Sequence, residues 1–254
     1  MPTEAGDALL AYARRIIALN DEAAASLSAT TVTASVRMGL PQDFFEDVMP
    51  DAIRHFMLRR PGLHAEVQAG RNHILEEEVR AGRLDVAVAF FKAGSDGHGT
   101  RIASLPMLCL GGGRLPPPPA GDPAARVLFD HPCLFRQEAI QTLEREKRRW
   151  RLSLTTPSLP GVWAALRMGH GISVRTTHRI PSGVRDVGAE FGLPELPPIE
   201  LRLLTAGELS PAASDLRDIV ERVVRTRVAA RRSGSPFLGR RRAAGALAMN
   251  APSP

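Results

Sequence analysis

The sequence predicts an α/β fold built from doubly wound parallel strands, and three observations carry that reading. Strand-like and helix-like stretches alternate between residues 31 and 91, which makes two consecutive βαβ units. Residues 84–91 (LDVAVAFF) form a near-continuous apolar run of the kind buried on both faces of a parallel sheet. After a Gly/Pro-rich excursion the alternation resumes and continues to the last long helix.

Each element has its own signal. Residues 31–39 (TVTASVRMG) read as a strand ending in glycine. Pro41 to Arg60 follows, with Phe44, Phe45, Val48, Ile53, Phe56 and Met57 at helical spacing. Pro61-Gly62 punctuates, and Leu63 to Ala69 alternates as a second strand. Asn72 to Ala81 places Ile74, Leu75 and Val79 on one side of a helix that Gly82 can cap. Residues 92–100 read as a loop and Arg101 to Leu110 as a strand. Gly111 to Pro123 is a surface excursion of stiff polyproline character. Strands then follow at 126–129, 150–155, 171–176 and 199–205. Helices are expected at 136–147, 158–168 and 212–227, and 181–198 reads as irregular.

Composition bounds the class. A chain of 254 residues, 44% hydrophobic and 24% charged, suits one large globular domain or two small ones. The longest apolar run is too short to span a bilayer, and no basic segment followed by an apolar stretch marks a secretory signal. Cys109 and Cys133 make no disulfide framework and fit a reducing compartment, so a cytoplasmic location without membrane contact is expected. The formal charge of +6 is concentrated. Residues 231–254 hold Arg231, Arg232, Arg240, Arg241 and Arg242 and no acid, which leaves only +1 for the rest. Residues 229–254 therefore read as a disordered basic tail, and the folded part gives no charge-based reason to bind nucleic acid.

Chemistry of other kinds is not indicated. The seven histidines show no metal-ligand spacing and there is no Cys-x-x-Cys, so no metal is expected. The Gly111-Gly112-Gly113 run precedes prolines rather than a helix, which is not a phosphate cradle. Glu76, Glu77 and Glu78 lie on a polar helix face. No catalytic constellation and no cofactor motif stands out, and the chain is not expected to be an enzyme.

The N-terminal stretch poses a different question. Leu9, Tyr12, Ile16, Leu19 and Ala23 recur at alternating three- and four-residue steps, the spacing of a coiled-coil seam. Thr3 can cap this helix, and Asp7 sits near its favourable dipole end. By itself the pattern fits equally an amphipathic helix packed on its own domain.

From Thr3 to about Arg227 the chain resembles the LysR-type transcriptional regulators from their linker helix onward. The resemblance rests on an ordered set of segments. It begins with Val36-Arg37-Met38-Gly39, Phe56 and Arg60-Pro61, then Gly70, Leu75, Gly82, Leu84 and Asp85. Pro132-Cys133-Leu134-Phe135-Arg136, Trp150-Arg151 and residues 156–165 follow, and Gly169-His170-Gly171-Ile172 and Gly192-Leu193-Pro194 complete it. In this sequence no winged helix-turn-helix precedes the helix. The resemblance implies a type 2 periplasmic-binding-protein fold, two α/β subdomains around a cleft, preceded by a linker and dimerisation helix at 3–28. Subdomain I would comprise 31–106 and 179–228, and subdomain II 107–178. It also implies a homodimer or tetramer, and DNA as a partner only where a helix-turn-helix lies upstream. A transport-type solute-binding protein of the same fold, without a DNA role, is the alternative.

In such a fold a small-molecule effector is expected where strand ends meet helix N-termini, since the unpaired N–H groups there suit a carboxylate or similar anion. The candidates are Leu40 and Gln42, Arg71 and Asn72, Phe135 and Arg136, Thr156 and Ser158, and Ser173 with Arg175 at the end of a later strand. The family often carries a small hydroxyl residue where Asn72 stands. Plainer readings coexist: Asn72 and Ser158 as N-caps, Arg136 as a surface cation, Phe135 as core.

Overall fold

The computed structural model describes residues 35–119 and 122–234, together with Thr3, Gly6, Leu9, Tyr12, Ala13, Arg15, Ile16, Ile17 and Leu19. Gly6, Leu9, Tyr12, Ala13, Arg15, Ile16, Ile17 and Leu19 are helical, and Thr3 Oγ1 accepts the Gly6 N–H at 3.3 Å, the cap its position predicts. Ala23, assigned to the same seam, lies outside the described residues, as do 235–254 of the expected tail.

The remaining elements are five helices and ten strands among the described residues. The strands are β1 (Ser35–Leu40), β2 (His64–Ala69), β3 (Val86–Lys92), β4 (Thr100–Leu105), β5 (Met107–Gly112), β6 (Ala124–Phe129), β7 (Trp150–Thr156), β8 (Ile172–Thr176), β9 (Val184–Asp186) and β10 (Ile199–Thr205). The helices are α1 (Val48–Arg59), α2 (Asn72–Arg80), α3 (Leu134–Arg145), α4 (Leu159–Arg167) and α5 (Pro211–Gly234). Four expectations shift. The strand read from Arg101 to Leu110 is two strands of different sheets, β4 and β5, parted at Pro106, which has no N–H to give a ladder. The helix read from Pro41 is a short 3-10 turn, Gln42–Phe44, followed by α1, because Asp47 only then begins a regular helix. The segment 181–198, read as irregular, contains β9. The final helix runs through 229 to Gly234, since no Gly or Pro interrupts it earlier.

The strands form two sheets, β2-β1-β3-β10-β4 and β7-β6-β8-β5-β9. By chain contacts the molecule divides into two compact units. Among the described residues, one comprises the N-terminal helical residues, 35–89, His98–Thr100 and Leu203–Val223; the other comprises Phe90–Gly97, 101–119, 122–202 and 224–234.

In the first unit β1 runs parallel to β2, from Ser35 opposite His64 to Leu40 opposite Ala69, and parallel to β3. Asp85 fixes the approach of β3. Its carboxylate accepts the Arg37 N–H at 2.7 Å and the Arg37 guanidinium at 3.2 Å, while its own N–H donates to the Arg37 carbonyl. Val36, Met38, Leu40, Phe44, Phe56, Leu75 and Val86 to Ala89 are buried and form the core. Asp215 on α5 joins α1 to this core. Arg60 donates to it at 2.7 Å and Arg59 pairs with it at 2.8 Å.

In the second unit β6 lies parallel to β7 and β8, and β5 is antiparallel to β8 and β9. Leu108, Leu110, Val127, Phe129, Leu159, Val162 and Leu166 form its apolar core, with Trp163 packed against them. Helix α4 lies so close to β5 that a Cβ on Gly112 would stand 1.9 Å from the Leu166 carbonyl oxygen. A separate clasp holds the 92–100 loop. The buried Arg202 guanidinium donates to the carbonyls of Ser95 and Gly97, each at 2.7 Å, pairs with Glu200 at 2.7 Å, and lies 4.9 Å over the Phe91 ring.

Two outcomes follow from this packing. Gly112→Ala places a methyl group against backbone that cannot rotate away, so it should destabilise the protein by roughly 2–4 kcal/mol, read as a lowered denaturation midpoint. The arginines around Asp215, Arg60 first, hold its carboxyl below the ordinary value of 3.8. A lowered folded-state pKa stabilises above the unfolded value and is lost as pH falls through the folded one. The melting-temperature gap between wild type and Asp215→Asn should therefore be constant above about pH 5 and close as pH falls through and below the ordinary aspartate range.

Candidate functional site

Both units bring the C-terminal ends of parallel strands together with helix starts, the place where open α/β sheets leave backbone groups for a ligand. In the first unit, Leu40 ends β1 opposite Ala69 of β2, and the Gly70 N–H donates to the Leu40 carbonyl at 3.0 Å. The Leu40 side chain is fully buried and belongs to the core, so only its backbone reaches the sheet end. Gln42, half-buried, opens the 3-10 turn. Arg71, rather than Asn72, takes the N-cap position of α2, and no side-chain cap bond is formed there. Asn72 is the first helical residue, and both are half-buried. These four candidates thus share the ends of two neighbouring strands.

The second unit gathers the others. β7, β6 and β8 end at Thr156, Phe129 and Thr176, with Thr156 opposite Phe129 in register. Arg175 is 4% exposed. Its guanidinium carbon lies 4.0 Å above the Phe129 ring and 4.9 Å from the Phe135 ring, so two aromatic faces hold the cation. Phe135 itself is buried and meets Phe90 edge to face, with centroids 5.1 Å apart. Phe135 is therefore both core and platform. The neighbouring Arg136 donates to the Phe129 carbonyl at 3.1 Å, which folds its charge back over the strand end.

Helix α3 begins at this spot. Its N-cap is Cys133, with no side-chain cap bond, so the first-turn N–H groups of Leu134, Phe135 and Arg136 are not used by a capping side chain. Arg136 in that first turn opposes the helix dipole and adds to the positive potential there. Helix α4 is different. Ser158 accepts the Gly161 N–H at 3.3 Å, and Thr156 Oγ1 accepts the Ser158 N–H at 3.2 Å, so both hydroxyls serve as caps. Ser173 is buried inside β8 opposite Leu110, three residues back from the strand end at Thr176. Thr156, Phe135, Arg136 and Arg175 converge; Ser158 adjoins them through Thr156; Ser173 does not reach the end.

Phe129 was not among the sequence candidates, although it supplies the nearer aromatic face under Arg175. Its position as the last strand residue before a polar Asp130 is the signal that marks it. No helix among the described residues is long and apolar enough to cross a membrane.

The LysR substrate binding domain model matches residues 29–225. The chain is 30% identical over 201 residues to the HTH-type transcriptional regulator DgdR of Burkholderia cepacia, covering 79% of this chain and 68% of that protein. It is 28% identical over 197 residues to the HTH-type transcriptional regulator PecT of Dickeya dadantii (strain 3937), covering 77% and 61%. Among solved structures, it resembles the C-terminal domain of a probable LysR family transcriptional regulator from Rhodococcus sp. RHA1, with a TM-score of 0.59 at 16% identity over 74% of this chain and 99% of that one. It also resembles the effector binding domain of QuiR in complex with shikimate (TM-score 0.56, 12% identity, 75% and 96% covered). A third is the BenM effector binding domain with its effector benzoate (TM-score 0.52, 12% identity, 75% and 91% covered). The sequence match over most of the chain, on a fold of two α/β sheets, places this chain in the LysR substrate-binding-domain family.

Proposed function

We propose that this chain is the effector-sensing part of a DNA-binding transcriptional regulator, and that its effector is a small carboxylate or similar anion. The observation that carries the ligand class is Arg175. A guanidinium stacked between Phe129 and Phe135 at a strand end, beside the uncapped start of α3 and the Arg136 side chain, offers charge, N–H donors and aromatic surface in one place. Benzoate and shikimate, held by the two structural relatives named above, are both carboxylates on rings. Leu40, Gln42, Arg71 and Asn72 supply a second set of strand-end groups for the same ligand class. The role needs no catalytic step, and the protein acts in the cytoplasm by binding rather than as an enzyme.

Transmission requires a dimer or tetramer, and the N-terminal helix supplies the surface for it. Leu9, Tyr12, Ile16 and Leu19 are 69%, 67%, 65% and 56% exposed, an apolar seam that a second copy of the helix would cover. Where a helix-turn-helix lies upstream of that helix, DNA is reached through it, and effector binding shifts the equilibrium between two arrangements of the assembly.

Two measurements test this. In a thermal-shift series with small aromatic and alicyclic acids, at least one should raise Tm by several degrees at saturating concentration, and Arg175→Gln should remove the rise while the protein stays folded. A series in which neutral sugars or amines raise Tm and every carboxylate fails to would overturn the ligand class. In light scattering, the wild type should have at least twice the 27.4 kDa mass of one chain. Ile16→Glu, which buries a charge in the seam, should weaken association by roughly tenfold or more.

A further inference from the structure

Arg126 is the largest fully buried side chain in the described structure, 1% exposed in the middle of β6. Among the described residues none of its three guanidinium nitrogens has an oxygen or nitrogen hydrogen-bond partner, and the one side chain that engages them is the Cys109 thiol. A guanidinium does not give up its proton near neutral pH, so burial leaves a full positive charge to be balanced. The groups around it do not balance it. The Cys109 thiol lies beside the guanidinium and is a weak, uncharged acceptor, because burial pushes its ionisation up despite the attraction of Arg126. Arg148 is a second cation acting on Arg126 and adds to the positive potential. Asp186, which also acts on Cys109, accepts the Gly188 N–H at 2.9 Å.

The guanidinium and the thiol face a small cavity between β5, β6 and β8 of the second sheet and helix α3. Its other walls are Ala139, Thr142, Leu143, Val174, Pro194 and Leu196. About 10 Å³ is open to the centre of a water-sized occupant, which is room for one. Thr142 is buried and lines the cavity, and its oxygen accepts from Arg145 at 3.2 Å, so the hydroxyl keeps a proton that it can donate. A cation, a hydroxyl donor and largely apolar walls line a space that seats one water-sized occupant.

We infer that this cavity is a structural site for a single monatomic anion of halide size, held by Arg126 and Thr142 and separate from the Arg175 site. The anion neutralises the buried guanidinium and ties β6 to α3. It is a fixed part of the fold rather than a signal, since Cys109, Arg126, Ala139, Thr142, Leu143 and Val174, six of its eight lining residues, are buried.

Chloride and bromide titrations of the full 254-residue chain, against gluconate at constant ionic strength, read the site directly. Between none and about 0.2 M halide, Tm should rise by roughly 3–6 °C, and gluconate should give no rise. Arg126→Met, which fills the space with an apolar chain, should abolish the halide increment. Should that variant not fold, Thr142→Val keeps the cation and deletes the donor, and should weaken chloride affinity by roughly tenfold. Crystals soaked in bromide should show an anomalous peak against the guanidinium. Equal Tm in chloride and gluconate overturns the proposal, as does a bromide-soaked crystal without that peak. So does an ultraviolet titration in a Cys133→Ser background showing Cys109 ionised at about pH 7, since the thiolate would then supply the charge.

Discussion

A strand covered on both faces has nowhere to express its polarity except at its ends, and this constraint organises the molecule. β3 is buried from Val86 to Phe90, and every residue of β8 is buried. The backbone groups of these two inner strands face neighbouring strands, so the donors they leave for a ligand lie past their ends, beside the places where β1, β2, β6 and β7 stop and helices start. The candidate ligand groups lie there for that reason, and the turns that carry them can vary while the sheets stay fixed.

The buried arginines show how the same interior deals with charge. Arg202 is matched by a carboxylate and two carbonyls and pins the 92–100 loop. Arg175 is matched by aromatic faces and sits at a strand end, where its charge is of use. Arg126 lies in the middle of its strand and has no such protein partner. Desolvating a guanidinium costs several kcal/mol unless it is compensated, so the three positions are not interchangeable substitutions of one residue type. Each states what its surroundings must provide.

Much of this was legible in the sequence because it is local. The apolar run at 84–91 announces β3; Pro61-Gly62 and Gly82 mark where chain direction changes; the ordered family segments add the two-sheet expectation. Arg136 and Arg175 were legible as a location, from their places after strand-like stretches. What was not legible depends on distant pairing. β9 is three residues long and exists only because β5 offers it an edge. Asp215 meets Arg60 across 155 positions of chain. Arg126 lies within AARVLF, where no periodicity separates a buried arginine from one whose head reaches water. Ser158 was read both as a ligand group and as an N-cap, and the cap is what the chain resolves locally, since its oxygen accepts the Gly161 N–H while Thr156 accepts the Ser158 N–H.

The distribution of indoles has a practical consequence. The chain has two tryptophans, and both fall in the second unit: Trp150 opens β7, and Trp163 on α4 packs against the apolar core. The single tyrosine, Tyr12, is in the N-terminal helix. Tryptophan emission, excited at the red edge where tyrosine does not absorb, therefore comes from one unit alone, with Trp163 sensing the tightness of packing between α4 and the second sheet. A ligand at the start of α4 acts on Trp163 directly, so the second unit carries its own optical reporter.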